Sequence, residues 1–248
     1  MLSSVRASLR SSALAAGFVG LALWLALPVQ GREPAATQTA AEMMQQAHDG
    51  RAVWTDFPGF ESRVRCSVDG GVVEGRVSVA RDGVVRLDLP EDSRFGWVQR
   101  TLDSLIGHRL SDGEAITNVE FADDQADHPQ GRLIRAIDTP DHSLWRAKGD
   151  VLMEVHRVGK ESRFIISVSD VWRTADHKHL PKDFVVTTWK LPAGQIESVR
   201  QVRQEWARIG NLDLPARHLA IQDRSDGTRV TYQIEFLDHL PAAKTVQK

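Results

Sequence analysis

The sequence predicts an α+β fold: one curved, mostly antiparallel sheet of about ten strands with two helices packed on it. Three observations carry this. Residues 62–89 read as three alternating strands joined by glycine turns. From Arg132 onward one alternating run follows another to Phe236. Only two stretches, 40–51 and 94–108, show a clear helical spacing of apolar residues. An antiparallel sheet with one apolar face must bury that face, so the helices or a ligand have to cover it.

Composition sets the outer limits. The chain has 248 residues, 42% hydrophobic and 26% charged, which is ordinary for a globular protein. Its formal charge of −2 becomes −4 without the first 31 residues, which carry Arg6 and Arg10 and no acid. A faintly acidic chain offers no electrostatic reason to bind nucleic acid. Cys66 is the single cysteine, so no intramolecular disulfide can form. Placed between Val64 and Val68, it reads as a small buried hydrophobe.

Residues 1–31 have the pattern of a signal peptide: a basic start, an apolar run from Ala13 to Leu27 and a break at Pro28. Cleavage is expected between Gly31 and Arg32, which places the mature protein in a periplasm or in secreted fluid. The alternative is an N-terminal membrane anchor, although the run is shorter than the roughly 20 residues a span needs. A Pro/Ala-rich linker, 32–39, leads to a single domain expected over 40–240, with a polar tail at 241–248.

Within that domain Ala40, Met43, Met44 and Ala47 recur at helical spacing, with Gly50 to end the helix. The methionines suit core packing. Trp54 to Phe60 is an aromatic turn. Then Val64, Cys66 and Val68 alternate with Arg63, Arg65 and Ser67 up to Asp69-Gly70-Gly71. Val73, Val77 and Val79 alternate up to Arg81-Asp82-Gly83, and Val85, Leu87 and Leu89 complete the meander. Acids and Ser93 at 91–93 suit a helix start. The following helix, 94–108, places Trp97, Leu102, Leu105 and Ile106 on one side, a stripe suited to lying across a sheet.

After a turn at Asp112-Gly113 comes an acidic loop, 121–131, containing Asp123, Asp124, Asp127 and His128. Strands are expected at 132–137, 143–148, 151–158, 162–172 and 184–191, with Phe164, Ile166, Val168 and Trp172 sharing a face. Residues 196–209 are ambiguous: Ile196, Val199, Val202, Trp206 and Ile209 suit a helix, while the Ala193-Gly194 turn suits a hairpin, and strand is preferred. Strands at 212–223 and 228–236 close the domain.

Signals for chemistry are sparse. His177 and His179 form an H-x-H pair that in a strand would point both imidazoles one way, with Asp176 nearby as an oxygen ligand. No third histidine has motif spacing and Lys178 would repel a cation, so a solvated loop is the simpler reading. Asp123, Asp124 and Asp127 lack the glycine and glutamate of a dedicated calcium loop and also read as solvated. There is no G-x-S-x-G elbow, no G-x-G-x-x-G and no P-loop, so no cofactor is implied.

The order of elements, with Val73, Gly75, Val77, Val79 and then Val85-x-Leu87-x-Leu89-Pro90 before a helix, resembles the periplasmic lipoprotein-carrier fold, an unclosed barrel. More closely, Phe57-Pro-Gly-Phe60, Trp206-x-x-Ile-Gly210 and Leu214-Pro215-Ala-x-His218 resemble an uncharacterised secreted bacterial family, the domain of unknown function numbered 3386. The resemblance spans roughly 40–240 and implies fold and compartment without an activity.

The expected function is non-enzymatic binding of an acyl chain or lipid between the sheet and the 94–108 helix. Phe60, Val77, Leu87, Trp97 and Leu102 are the candidate cavity walls. The alternative is an interaction module with a filled core that docks an envelope protein, and a third reading is a metal-dependent hydrolase using His177 and His179.

Overall fold

The computed structural model describes residues 38–110, 113, 115–137 and 143–242. The expected signal peptide and the linker up to Thr37 lie outside the described residues, as do Asp112 of the expected turn and the tail from Ala243.

Among the described residues twelve strands form one antiparallel sheet. They are β1 (Phe60–Val68), β2 (Gly71–Val79), β3 (Val85–Asp88), β4 (Val119–Phe121), β5 (Arg132–Ala136), β6 (Leu144–Lys148), β7 (Val151–Val158), β8 (Ser162–Arg173), β9 (His179–Lys190), β10 (Gln195–Ile209), β11 (Leu212–Arg224) and β12 (Arg229–Pro241). Their order is β3-β2-β1-β12-β11-β10-β9-β8-β7-β6-β5-β4, so β3 and β4 are edges that do not meet and the curved sheet stays unclosed. Every neighbour in space is a neighbour in sequence except the join of β1 to β12.

The predicted meander is present, and its alternation is visible in burial: Phe60, Ser62, Val64 and Cys66 are buried while Glu61, Arg63 and Arg65 are exposed. Gly70, with φ of +84°, supplies the left-handed backbone of the first turn. Gly75 has a different reason. A Cβ there would lie 2.1 Å from the carbonyl oxygen of Asp88, so only glycine lets the end of β3 cross so close. Strand β10 resolves the ambiguity at 196–209 as strand over fifteen residues. The short β4 was not anticipated, and β9 begins at His179, ahead of the expected start at 184 and at the expense of a ladder N–H at Pro181. That proline is tolerated because it sits beside a register shift, opposite Val171. Trp172, beyond two register shifts from Val168, is exposed.

Helix α1 (Ala40–Gly50) opens with a capping box in which the Thr39 side chain and Glu42 serve each other's backbone N–H. A single 3-10 turn at Ser93–Phe95, capped by Asp92 in place of the expected Ser93, leads into α2 (Trp97–Gly107). Both helices lie on the same face of the sheet, as the register shows. Cys66 pairs with Ile234, Ile234 with His218, and His218 with Gln204. Two residues further along, Val202 pairs with Phe184 and Phe184 with Val168. Ile166 pairs with Val155, Val155 with Trp145 and Trp145 with Ile134. Directly paired residues share a face. At one end of it, Val64, Cys66 and Ile234 pack with Leu102 and Ile106 of α2. At the other, Ile134, Trp145 and Ala147 pack with Ala40 and Met44 of α1.

Candidate functional site

The five candidate wall residues fall into one cluster under α2. Phe60, Val77 and Leu102 are 0–1% exposed and touch other side chains on all sides. Phe60 is further held by edge-on contacts with Trp54 and Phe57, whose own rings stack at 4.5 Å. Leu87 and Trp97 pack against this cluster but remain partly exposed at its border.

The middle of the same face is different. The helices pack at the ends of this face, α1 against β4, β6 and β7 and α2 against β3, and along β8 and β9 Phe164, Ile166, Val168, Phe184 and Val186 stay partly exposed. Together with Val155 of β7 and the buried Val202 of β10 they form a continuous apolar floor between the two helix-covered ends. Its alternation in β8 was legible in the sequence. What it lacks is a cover.

Polar side chains interrupt the floor along β10 and β11. Gln204 and His218 are buried, with Gln204 Nε2 and His218 Nδ1 3.5 Å apart, and Gln204 Oε1 is buried without a protein donor. Burial, and then the charge on Arg200, push the His218 imidazole down to about 4, so it is neutral at physiological pH. Arg200 pairs with Gln222 on one side and Val186 on the other. It reaches solvent, yet packed surroundings disfavour its charge, the combination expected of a side chain standing in an open concavity.

Where this face meets the start of α2, a cleft of about 440 Å³ is lined by Val68, Trp97, Arg100, Arg224, Val230 and Tyr232, among others. Trp97 and Tyr232 meet edge to face at 5.0 Å, and Arg224 Nη2 donates to the Tyr232 hydroxyl at 3.0 Å. The indole N–H of Trp97 is buried with no acceptor. A second cleft of about 310 Å³ lies beside Trp54, where Asp213 accepts from Arg208 at 2.6 Å.

The remaining candidates take separate positions. His177 sits on an exposed turn with φ of +60°, while His179 is buried at the start of β9. Burial is the first cause holding His179 down to about 4, against the pull of Asp150, whose Oδ2 lies 3.9 Å from its Nδ1. No group of three or more His, Cys, Asp or Glu side chains is placed to hold a metal ion among the described residues. Asp123 is not the solvated acid expected. Burial opposes its charge, but Arg132 at 3.0 Å, the Leu133 N–H at 3.0 Å and Arg146 at 3.1 Å outweigh that and hold its carboxyl below the usual range. Cys66 is buried, and burial pushes its thiol up to about 12, so it is inert as a nucleophile. The residues that sequence reasoning missed are Arg200, Gln204 and His218. Each is a polar residue at an inward position of an otherwise apolar strand.

These features define a class: an unclosed antiparallel half-barrel with both helices on its inner face and an uncovered apolar stretch between them. The chain belongs to the family described as a protein of unknown function (DUF3386), which matches residues 35–240. This is the family that the Phe57–Phe60, Trp206–Gly210 and Leu214–His218 motifs resemble. Among solved structures, a LolA superfamily protein from Nitrosomonas europaea is 8% identical, with 84% of this chain and 96% of that chain covered at a TM-score of 0.36. No functionally curated protein matches the sequence. No helix among the described residues is long and apolar enough to cross a membrane.

Proposed function

We propose that the inner face of the sheet holds a lipophilic molecule, an acyl chain or a lipid, and that the protein acts as a non-enzymatic binder in the cell envelope after cleavage between Gly31 and Arg32. One observation carries the reading: Phe164, Ile166, Val168, Phe184 and Val186 are partly exposed on a face that is buried at both of its ends. Apolar surface left open in a concave site is favourable to cover, at about 25 cal/mol per Å². The floor replaces the core under α2 as the binding surface; of the expected walls, Trp97 lines the neighbouring cleft, while Leu87 lies on the edge strand β3, away from the floor. The cleft of about 440 Å³ beside Trp97 falls within the usual range for small-molecule sites, about 300–1,000 Å³.

The test is uptake of an environment-sensitive apolar probe, such as N-phenylnaphthylamine, by the purified protein, with native mass spectrometry of material isolated from cells. Saturable fluorescence gain, displaced by fatty acid and lost in a Val186→Gln/Ile166→Gln variant, is expected. A clean unliganded mass and no fluorescence gain would overturn the reading. It would favour instead a docking module, for which the sealed cluster of Phe60, Val77 and Leu102 is the supporting observation. N-terminal sequencing of the exported chain tests the compartment; a product retaining Trp24 would mean a membrane anchor.

A further inference from the structure

The cleft at the start of α2 is built for more than an apolar tail. It opens on the same face as the floor, since Val68 pairs with Tyr232, Tyr232 with Ala220, Ala220 with Val202 and Val202 with Phe184. Three arginines line it: Arg94, Arg100 and Arg224. Arg94 is already engaged, with Asp92 at 2.6 Å, and the one carboxylate in the lining, Asp69, accepts from the Thr231 N–H at 2.9 Å. Arg224 has the neutral Tyr232 hydroxyl as a partner. Arg200 stands one strand away, on the strand where Ser198 pairs with Arg224. Arg100, Arg200 and Arg224 thus bring three exposed guanidinium groups to one apolar concavity, an arrangement that an anionic group on its ligand would complement. The buried Trp97 N–H, without an acceptor, also points to an oxygen supplied by a ligand.

We infer that the molecule carried on the inner face is an anionic amphiphile, with its phosphate or carboxylate oxygens seated among Arg100, Arg200 and Arg224 beside Trp97 and its chain running along Val202, Phe184 and Val168. This rests on the lipophilic reading above and adds the charge class of the ligand. Guanidinium is suited to the task because its planar N–H fork matches carboxylate and phosphate oxygens. Tyr232 occupies the boundary, with its ring against Trp97 and its hydroxyl toward Arg224.

The experiment compares two ligands with the same lauroyl chain, followed by the protein's tryptophan fluorescence below their micelle concentrations. These are lauroyl-lysophosphatidylglycerol, which is anionic, and monolauroylglycerol, which is neutral; inorganic phosphate is titrated separately. The anionic ligand is expected to bind at least about tenfold more tightly, the worth of one charge-assisted hydrogen bond, with the ratio falling as salt is raised. In Arg200→Gln/Arg224→Gln the ratio should approach one. Arg100→Gln, on the exposed side of the helix, gives a second reading if the double variant does not fold, and should lower the ratio by itself. Equal binding of the two lipids by the wild-type protein would overturn the headgroup inference and leave the lipophilic reading standing. Binding of neither would overturn both. Inorganic phosphate binding as tightly as the lysolipid would mean a free-anion site and would overturn the amphiphile.

Discussion

The two parts of the inner face share strand geometry and differ in cover. Under α2, side chains from β1, β2 and β12 meet Val98, Leu102 and Ile106 at essentially zero exposure. On β8 and β9, Phe164, Ile166, Phe184 and Val186 have the same apolar character but stay partly exposed. The contrast teaches that apolar alternation in a strand specifies a face to be covered without specifying what covers it. Stability is concentrated where the helix seals the sheet, and the proposed binding surface is where it does not.

The largest expected effect breaks the comparison at its sealed end. Leu102→Ala should cost about 3–4 kcal/mol in urea unfolding, since a fully buried leucine leaves a cavity. The folded fraction should still take up apolar probe. A cost below about 1 kcal/mol would mean that the α2 end is not close-packed.

Next is acidification, which acts on both parts at once. Between the ordinary histidine value of 6.5 and about 4, the unfolded chain binds protons that His179 and His218 refuse when folded. Stability is therefore full above 6.5 and falls as pH drops through that window, by up to about 3 kcal/mol for each histidine. Unfolding midpoints at a series of pH values check this, and His218→Phe should flatten the dependence. A midpoint unchanged down to pH 4.5 or so would show that neither imidazole is buried neutral.

A smaller loss is expected from Asp123→Ala, about 2 kcal/mol, because Arg132 and Arg146 would keep their largely buried positions without their carboxylate. Uptake of probe should not change, as the pair lies outside the floor. The smallest stability effect and the sharpest functional one belong to the open middle. Val186→Gln should shift the unfolding free energy by less than about 1 kcal/mol, as for other partly exposed strand positions, and yet weaken probe binding severalfold. If instead it unfolds the protein, the floor is structural core.

How much of this was legible follows from what each strand faces. The meander of β1 to β3 read plainly because one side is sealed core and the other is arginine and glutamate in water. Strand β10 read ambiguously for a physical reason: its inward positions are Arg200, Val202, Gln204 and Trp206, so the period of two is broken by the very residues that line the concavity. A register shift between Ile196 and Ser198 blurs it further. The expected binding wall was taken from the strands with the clearest alternation, and those are the strands the protein fills with its own side chains. Local pattern failed where a ligand is proposed to stand in for the missing core, which is where agreement between levels is expected to break. The placement of Asp123 was illegible because its partners, Arg132 and Arg146, reach it only through the pairing of β5 with β6.

The single non-sequential join, β1 to β12, governs how the chain can fold. All other strand pairs are hairpin neighbours and can form as soon as both strands are made. Strand β1 keeps one edge unpaired until residues some 175 positions later arrive, as the Ser62–Leu237 hydrogen bond measures. Loop closure over that distance makes the last contact the slow one, and chain growth from N to C terminus delivers it late. A nascent chain therefore carries an open strand edge through most of its synthesis and remains unfinished until β12 emerges. In vitro that delay makes chains truncated before Arg229 the ones expected to aggregate.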